Sequence, residues 1–284
     1  YTTHFRSHHR ANHDSLTGLP NRVLFNDRLS QSVKMAARHK NEFAVLFIDL
    51  DRFKQINDSL GHRTGDKVLQ VIAARLQTVM RKEDTLARLG GDEFTVLMQE
   101  LEKGDNASLL AEKIIKIAAL PVYIDEHTLY VSASIGISLY PKDGANCKEL
   151  VMYADNAMYK AKEEGRNNFQ FYSAEMTVLA LSKVVMESSM RKALKNEEFS
   201  LCYQPQMNGS NDKLIGMEAL VRWQHPTKGL IYPSGFIPLA EETGLIVELD
   251  KWVMKTAMNQ ISKWYEEGLN PGVLALNLAI KQLH

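Results

Sequence analysis

Three carboxylates stand where chemistry could begin. Asp49 lies near the end of "FAVLFIDLD" (43–51), a nearly continuous apolar run rich in β-formers, which predicts a buried central strand. Asp92 and Glu93 follow Gly90-Gly91 in "LARLGGDEFTVLM" (86–98), two strand-like runs joined by a hairpin signal. A hairpin paired beside 43–51 brings the three together at one rim. Gathered carboxylates repel and are costly to desolvate unless a cation joins them. Their hard oxygens suit Mg²⁺, which takes few protein carboxylates and fills its shell with phosphate oxygens and water. The two glycines supply a tight turn and leave the backbone open to a bulky ligand. The outline is a nucleotide-plus-metal site.

The elements that must hold this rim read as an α+β domain with a mostly antiparallel sheet flanked by helices. Asn21 caps a helix in which Val23, Leu24 and Leu29 recur at helical spacing. Helices are predicted over 65–80, 107–120 and 147–165, the last closed by Gly165, with a strand over 129–141 and a short one in "NNFQFY". The character then changes: a helix over 174–196, strands over 199–207 and 214–224, helices, and a strand over 272–280. That order suggests the start of a (β/α)8 barrel, which needs about 250 residues when complete. The expected division is an incoming helix or linker (1–11), a catalytic domain (12–173), a linker helix (174–198) and an incomplete barrel (199–284).

The chain has 284 residues, 34 basic and 34 acidic, so net charge is zero. This argues against a nucleic-acid polymer or a polybasic membrane face, while small phosphorylated ligands need only a few local cations. Cys147 and Cys202 fall in different halves, so a disulfide framework is not expected and a reducing cytosol is. No run approaches a membrane span. The chain opens without Met on a histidine-rich stretch with His4, His8, His9 and His13, read as a polar entry segment of something longer. Membrane attachment would come only through an upstream region.

Five stretches carry a resemblance: "DSLTGLPNR" (14–22), "FIDLDRFKQINDSLGHRTGD" (47–66), "RKEDTLARLGGDEF" (81–94), "SASIGIS" (132–138) and "YADNAMYKAKEEGRN" (153–167). In order and spacing they resemble the GGDEF domain of the diguanylate cyclase family, with its nucleotidyl-cyclase, palm-like fold. The resemblance implies condensation of two GTP into cyclic di-GMP with release of two pyrophosphates, dependent on Mg²⁺ or Mn²⁺, across a homodimer. It implies that Asp49, Asp92 and Glu93 serve metal and catalysis, Glu93 ligating metal or helping to deprotonate the attacking 3′-hydroxyl. Asn57 and Asp66 match the guanine-reading positions, chemistry that an amide and a carboxylate suit. Phe53 and Lys54 lie in the loop whose backbone N–H groups cradle phosphate beside Gly90 and Gly91, with the Phe53 ring in the core. Lys162 and Arg166 match a basic pair for the β- and γ-phosphates, on one helix face or its end. Arg81 and Asp84 fit an RxxD site where the product docks and inhibits. Asp14 is expected to cap a turn or pair with Arg22.

The second half carries "CYQPQM" (202–207), "EALVRW" (218–223), "FIPLAEETGLI" (236–246) and "LNLAIKQLH" (276–284), and resembles the start of an EAL domain, the cyclic di-GMP phosphodiesterase family. This implies metal ligands at Glu218 and Asn277 and dinucleotide contacts at Gln204 and Arg222. The family's remaining ligands and base fall beyond 284, so no phosphodiesterase activity is expected of these residues alone. The alternative is a GTP-binding regulatory GGDEF domain that controls such a phosphodiesterase. A third reading is a cyclic di-GMP receptor acting through Arg81 and Asp84.

Overall fold

The computed structural model describes residues 11–99, 101, 105–210 and 213–277. His4, His8 and His9 and the end of the strand expected over 272–280 lie outside them. The chain forms two compact units that divide between Val178 and Leu179.

In the first unit, α1 (Arg22–His39), β1 (Phe43–Asp51), α2 (Phe53–Leu60), α3 (His62–Thr78), β2 (Thr85–Gly90), β3 (Glu93–Met98) and α4 (Asp105–Ala118) come first. A small hairpin, β4 (Val122–Ile124) and β5 (His127–Leu129), then β6 (Ser132–Tyr140), α5 (Cys147–Glu163) and β7 (Phe169–Phe171) complete it. The sheet order is β2-β3-β1-β6-β7, antiparallel except for β6 with β7. β1 is buried along its whole length, as an unbroken apolar run requires of a strand covered on both faces. Its alternate residues Ala44, Leu46, Ile48 and Leu50 join Phe53, Val68 and Ile72 of α2 and α3. Phe43, Val45 and Phe47 pack with Phe25 and Leu29 of α1 and Leu150 and Met158 of α5. Period-two alternation therefore directs Asp49 to the α1/α5 face.

Three expectations change. The helix predicted from residue 65 begins at His62, and an unpredicted helix, α2, precedes it. Gly61, at φ +82°, makes the corner between them. Residues 129–141 are not one strand: Asp125, at φ +52°, reverses the chain so that 127–129 pair with 122–124, and β6 starts afresh at Ser132.

The helix α6 (Ala174–Ala193) spans the division. The second unit adds β8 (Phe199–Met207), β9 (Leu214–His225), β10 (Gly229–Ile231), α7 (Ile237–Thr243), α8 (Ile246–Glu266) and β11 (Val273–Leu276). Twelve-residue β9 pairs antiparallel with β8 and β10 and parallel with β11. The parallel return through helices is the crossover of an incomplete βα barrel. Phe199, Trp223, Phe236 and Leu249 fill its core.

Candidate active site

The rim assembles as the hairpin reading requires. Asp49 lies opposite Glu93 in the β1–β3 register, and the Leu50 amide donates to the Asp92 carbonyl at 3.4 Å. The hairpin turn is thus tied to the end of the central strand. Gly90 and Gly91 both have positive φ, +145° and +52°, where a side chain would be strained. The turn is also held from outside the motif. Arg88 donates to the Gly91 carbonyl through Nε (3.0 Å) and a terminal nitrogen (2.7 Å). Its other terminal nitrogen bridges both oxygens of Asp14 at 2.9 and 3.0 Å. Asp14 in turn accepts from the Thr17 amide and hydroxyl. Asp14 therefore pairs with Arg88 and not with Arg22, whose guanidinium lies 3.8 Å from Glu93. Asp14 lies within reach of β2 because the turn at 14–20 bonds into it, the Arg88 amide donating to the Pro20 carbonyl.

Asp49 is 8% exposed and its carboxylate oxygen lies 2.7 Å from the Lys162 ammonium. Burial pushes its pKa up to about 6, against the pull of Lys162 and with the repulsion of Asp92 and Asp51. Glu93 is raised too, first by desolvation and then by Asp155, with Arg22 opposing. Asp51, which the sequence reading left unassigned, is buried and accepts from the Ser132 hydroxyl (2.6 Å), the Ser134 hydroxyl (2.7 Å) and the Asn167 amide (3.1 Å). It fastens the site end of β1 to β6 and to the turn after α5. The clue was alternation: Asp51 follows Asp49 at a spacing of two, on the same strand face.

The donor set fits a hard divalent cation. Desolvated carboxylates with raised pKa values already hold one cation, an ammonium. Among the described residues no three Asp, Glu, His or Cys side chains close into a metal cage.

Phe53 and Lys54 are not in a loop but open α2, after Arg52 turns the chain at φ 58°. No side chain caps this helix, so its first N–H groups remain available to an anion. Phe53 is buried in the core. Asn57 (α2) and exposed Asp66 (second turn of α3) flank the packing of the two helices. A Cβ on Gly65 would overlap the Asn57 amide oxygen, and that oxygen is buried without a hydrogen-bond partner. Lys162 and Arg166 are parted: α5 ends at Glu163, and Arg166, at φ +65°, lines a separate hollow of about 650 Å³ with Arg52 and Asn167. Asp84 accepts from the Arg81 amide (3.0 Å) and the Gln99 amide (3.3 Å), while Arg81 is exposed. Burial raises the Asp84 pKa.

In the second unit Gln204 and Glu218 are register partners on β8 and β9, and Ala275 of β11 flanks Glu218 on the other side. The Asn277 side-chain amide donates to Glu218 Oε1 at 2.8 Å. Arg222 is engaged elsewhere, with the Val221 carbonyl and over the Tyr232 ring, 5.2 Å from its centroid.

The model of the family described as diguanylate cyclase, GGDEF domain, matches residues 11–168, and that of the EAL domain matches 187–284. The chain belongs to the GGDEF family. Its GGDEF domain is followed by part of an EAL domain, an arrangement of cyclic di-GMP signalling proteins. The bifunctional diguanylate cyclase/cyclic di-GMP phosphodiesterase MucR of Pseudomonas aeruginosa is 46% identical over 272 residues, covering 96% of this chain and 40% of MucR. The cyclic di-GMP phosphodiesterase NbdA of the same organism is 40% identical over 273 residues, covering 96% of this chain and 35% of NbdA. The chain thus spans well under half the length of these relatives. A solved GGDEF domain of TpbB (YfiN), also from P. aeruginosa, is 44% identical and superposes with a TM-score of 0.58, covering 60% of this chain and 99% of that structure. Among the described residues no helix is long and apolar enough to cross a membrane.

Proposed function

We propose that this GGDEF domain is a working diguanylate cyclase. The observation that carries the reading is the intact rim: buried Asp49 facing Glu93 in register, beside Asp92, with an ammonium at Asp49. The 3′-oxygen of one GTP bonds to the α-phosphorus of the other. The bond from that phosphorus to its bridging oxygen breaks, and pyrophosphate leaves with the electron pair. The hydroxyl proton passes to Glu93, whose raised pKa suits it to hold one. Asp49 and Asp92 would hold Mg²⁺ or Mn²⁺, which supplies charge neutralisation at the triphosphate. Asn57 and Asp66 read guanine, the Asn57 side-chain amide donating to O6 or N7 and the Asp66 carboxylate accepting from N1–H and N2–H₂. The amides of Phe53 and Lys54, together with Arg166, take phosphate. Lys162 is shared between Asp49 and the incoming triphosphate. The product is symmetric, so two copies must face each other. Arg81 and Asp84 form the inhibitory product site.

The first test is incubation of the chain with GTP and Mg²⁺ and chromatography of the nucleotides. A cyclic di-GMP peak is expected. GTP bound but not consumed would instead favour the regulatory reading. That second reading has support in NbdA, a relative named as a phosphodiesterase. In it the GGDEF domain binds GTP and governs an EAL site to which Gln204, Glu218, Arg222 and Asn277 belong.

A further inference from the structure

A second hollow, of about 560 Å³, opens beside Glu93 on the α1/α5 face of the sheet. It lies in the size range of small-molecule sites, about 300–1,000 Å³. Arg22 of α1 and Lys148 of α5 bring two cations to it, Glu93 and Asp155 two carboxylates, and Phe47 contributes an apolar wall. Arg22 is 59% exposed on its side chain and only loosely paired with Glu93, at 3.8 Å. An arginine so placed can fork onto a phosphate at little cost. The proposed guanine readers Asn57 and Asp66 lie on α2 and α3, which cover the opposite face of the sheet. Glu93 is the one group of the proposed catalytic set that lines this hollow.

We propose that this hollow receives the ribose and α-phosphate of the GTP held by a second copy of the chain. The inference rests on the cyclase reading. Two equivalent bonds form in that reaction, and each needs a 3′-hydroxyl delivered to Glu93 from outside the site that holds the chain's own nucleotide. Arg22 and Lys148 meet the visiting phosphate, Glu93 meets its 3′-hydroxyl, and Phe47 lies against the sugar. The hollow is thus the receiving half of a site that is complete only between two copies.

Cys147 also lines the hollow and supplies a readout that needs no turnover. In the full chain with Cys202→Ser, Cys147 is alkylated with and without a GTP analogue whose α–β bridging oxygen is replaced by methylene. Protection by the analogue is expected only at chain concentrations where sedimentation shows dimers. Arg22→Ala should abolish that protection and slow cyclisation by roughly 10²-fold, the cost of a misplaced reactant, while analogue affinity in dilute monomer changes less than about twofold. Arg22 is a surface residue, and Lys148→Ala, also at an exposed position, should act in the same direction. Protection in dilute monomer would assign the hollow to the chain's own nucleotide and overturn the proposal. Protection in dimers without analogue would show that protein, not nucleotide, fills it. Full reactivity in analogue-loaded dimers would show it empty. If cyclic di-GMP forms yet Cys147 stays reactive, only this inference falls. If Cys147 is protected as expected yet no cyclic di-GMP is ever made, the cyclase reading falls instead.

Discussion

Asp49 and Glu218 are both strand carboxylates in a proposed metal site, one in each half of the chain, and they are kept in opposite states. Asp49 is buried, repelled by Asp92 and Asp51, and answered by a lysine ammonium at 2.7 Å. Glu218 is half-buried and answered by a neutral amide, that of Asn277, at 2.8 Å. The first arrangement stores a demand for positive charge that one cation meets and a second can share. The second orients an oxygen without charging its surroundings. The supporting frames differ in the same way. Contacts far apart in sequence staple the GGDEF rim from behind: Asp14 with Arg88, Asp49 with Lys162, Asp51 with Ser134. Around Glu218 the described strands leave Met207, Ile215 and Val273 exposed. A site whose electrostatic cost is met within its own unit can form without the second unit, whereas one on an open sheet depends on further structure.

The sharpest way to break that contrast is to remove a carboxylate from each half. Asp92→Ala should lower cyclic di-GMP synthesis by at least about 10²-fold, with circular dichroism and melting temperature nearly unchanged, since Asp92 is only partly buried. Glu218→Ala should leave synthesis at the parent level. Equal losses in the two variants would contradict the independence of the halves.

The pH dependence tests the stored demand directly. Asp49 has an ordinary pKa of 3.8 and a folded value of about 6. The folded state therefore holds the proton more tightly, and this contribution to stability is full below about pH 4 and lost as pH rises through 6. The loss is at most roughly 3 kcal/mol. In chelator, Asp49→Asn should flatten the melting-temperature profile between pH 4 and 7, and added Mg²⁺ should stabilise the parent more than the variant near pH 7.5. Parallel profiles for the two proteins would show that Asp49 bears no such strain.

Arg88→Ala should destabilise the GGDEF unit by about 2 kcal/mol, because a largely buried charge-assisted network is lost, and should cut turnover by freeing Gly91. Arg88→Lys should not restore it, since one ammonium cannot both bridge Asp14 and grip the Gly91 carbonyl. The measurements are denaturant unfolding and initial rate.

Much of this site was legible before any coordinates. The apolar run 43–51 had to be a central strand, so its acidic end had to be a rim. Gly90-Gly91 had to be a turn, so Asp92 and Glu93 had to join that rim. What escaped was whatever depends on partners distant in the chain. Nothing local says that Asp14 answers Arg88 across 74 residues, or that Lys162 belongs to Asp49 rather than to Arg166. Arg52 in a left-handed conformation converted an expected loop into α2, because one residue of unusual φ redirects the chain at once. Gly65 could be read only as a helix residue of low propensity until Asn57 was seen packed against it.

The smallest effect is expected where the site is most superficial. Arg81 is exposed, and the hydrogen bond it gives Asp84 comes from its backbone amide. Arg81→Ala therefore keeps the turn and the Asp84 cap, and stability should change by less than about 0.5 kcal/mol. The basal rate, taken before product accumulates, should equal that of the parent. What changes is the late time course: the parent slows as cyclic di-GMP builds up, and the variant continues. Added cyclic di-GMP should inhibit the parent and leave the variant nearly unaffected. Equal inhibition of both would remove Arg81 from the product site. Asp84→Asn separates the roles further. Arg81 and Gln99 donate to different oxygens of the Asp84 carboxylate, and the single amide oxygen of Asn can accept from only one of them, so this variant should weaken product inhibition and also cost the turn about 1 kcal/mol. A variant that loses stability but keeps full product inhibition would assign Asp84 to the fold rather than to regulation.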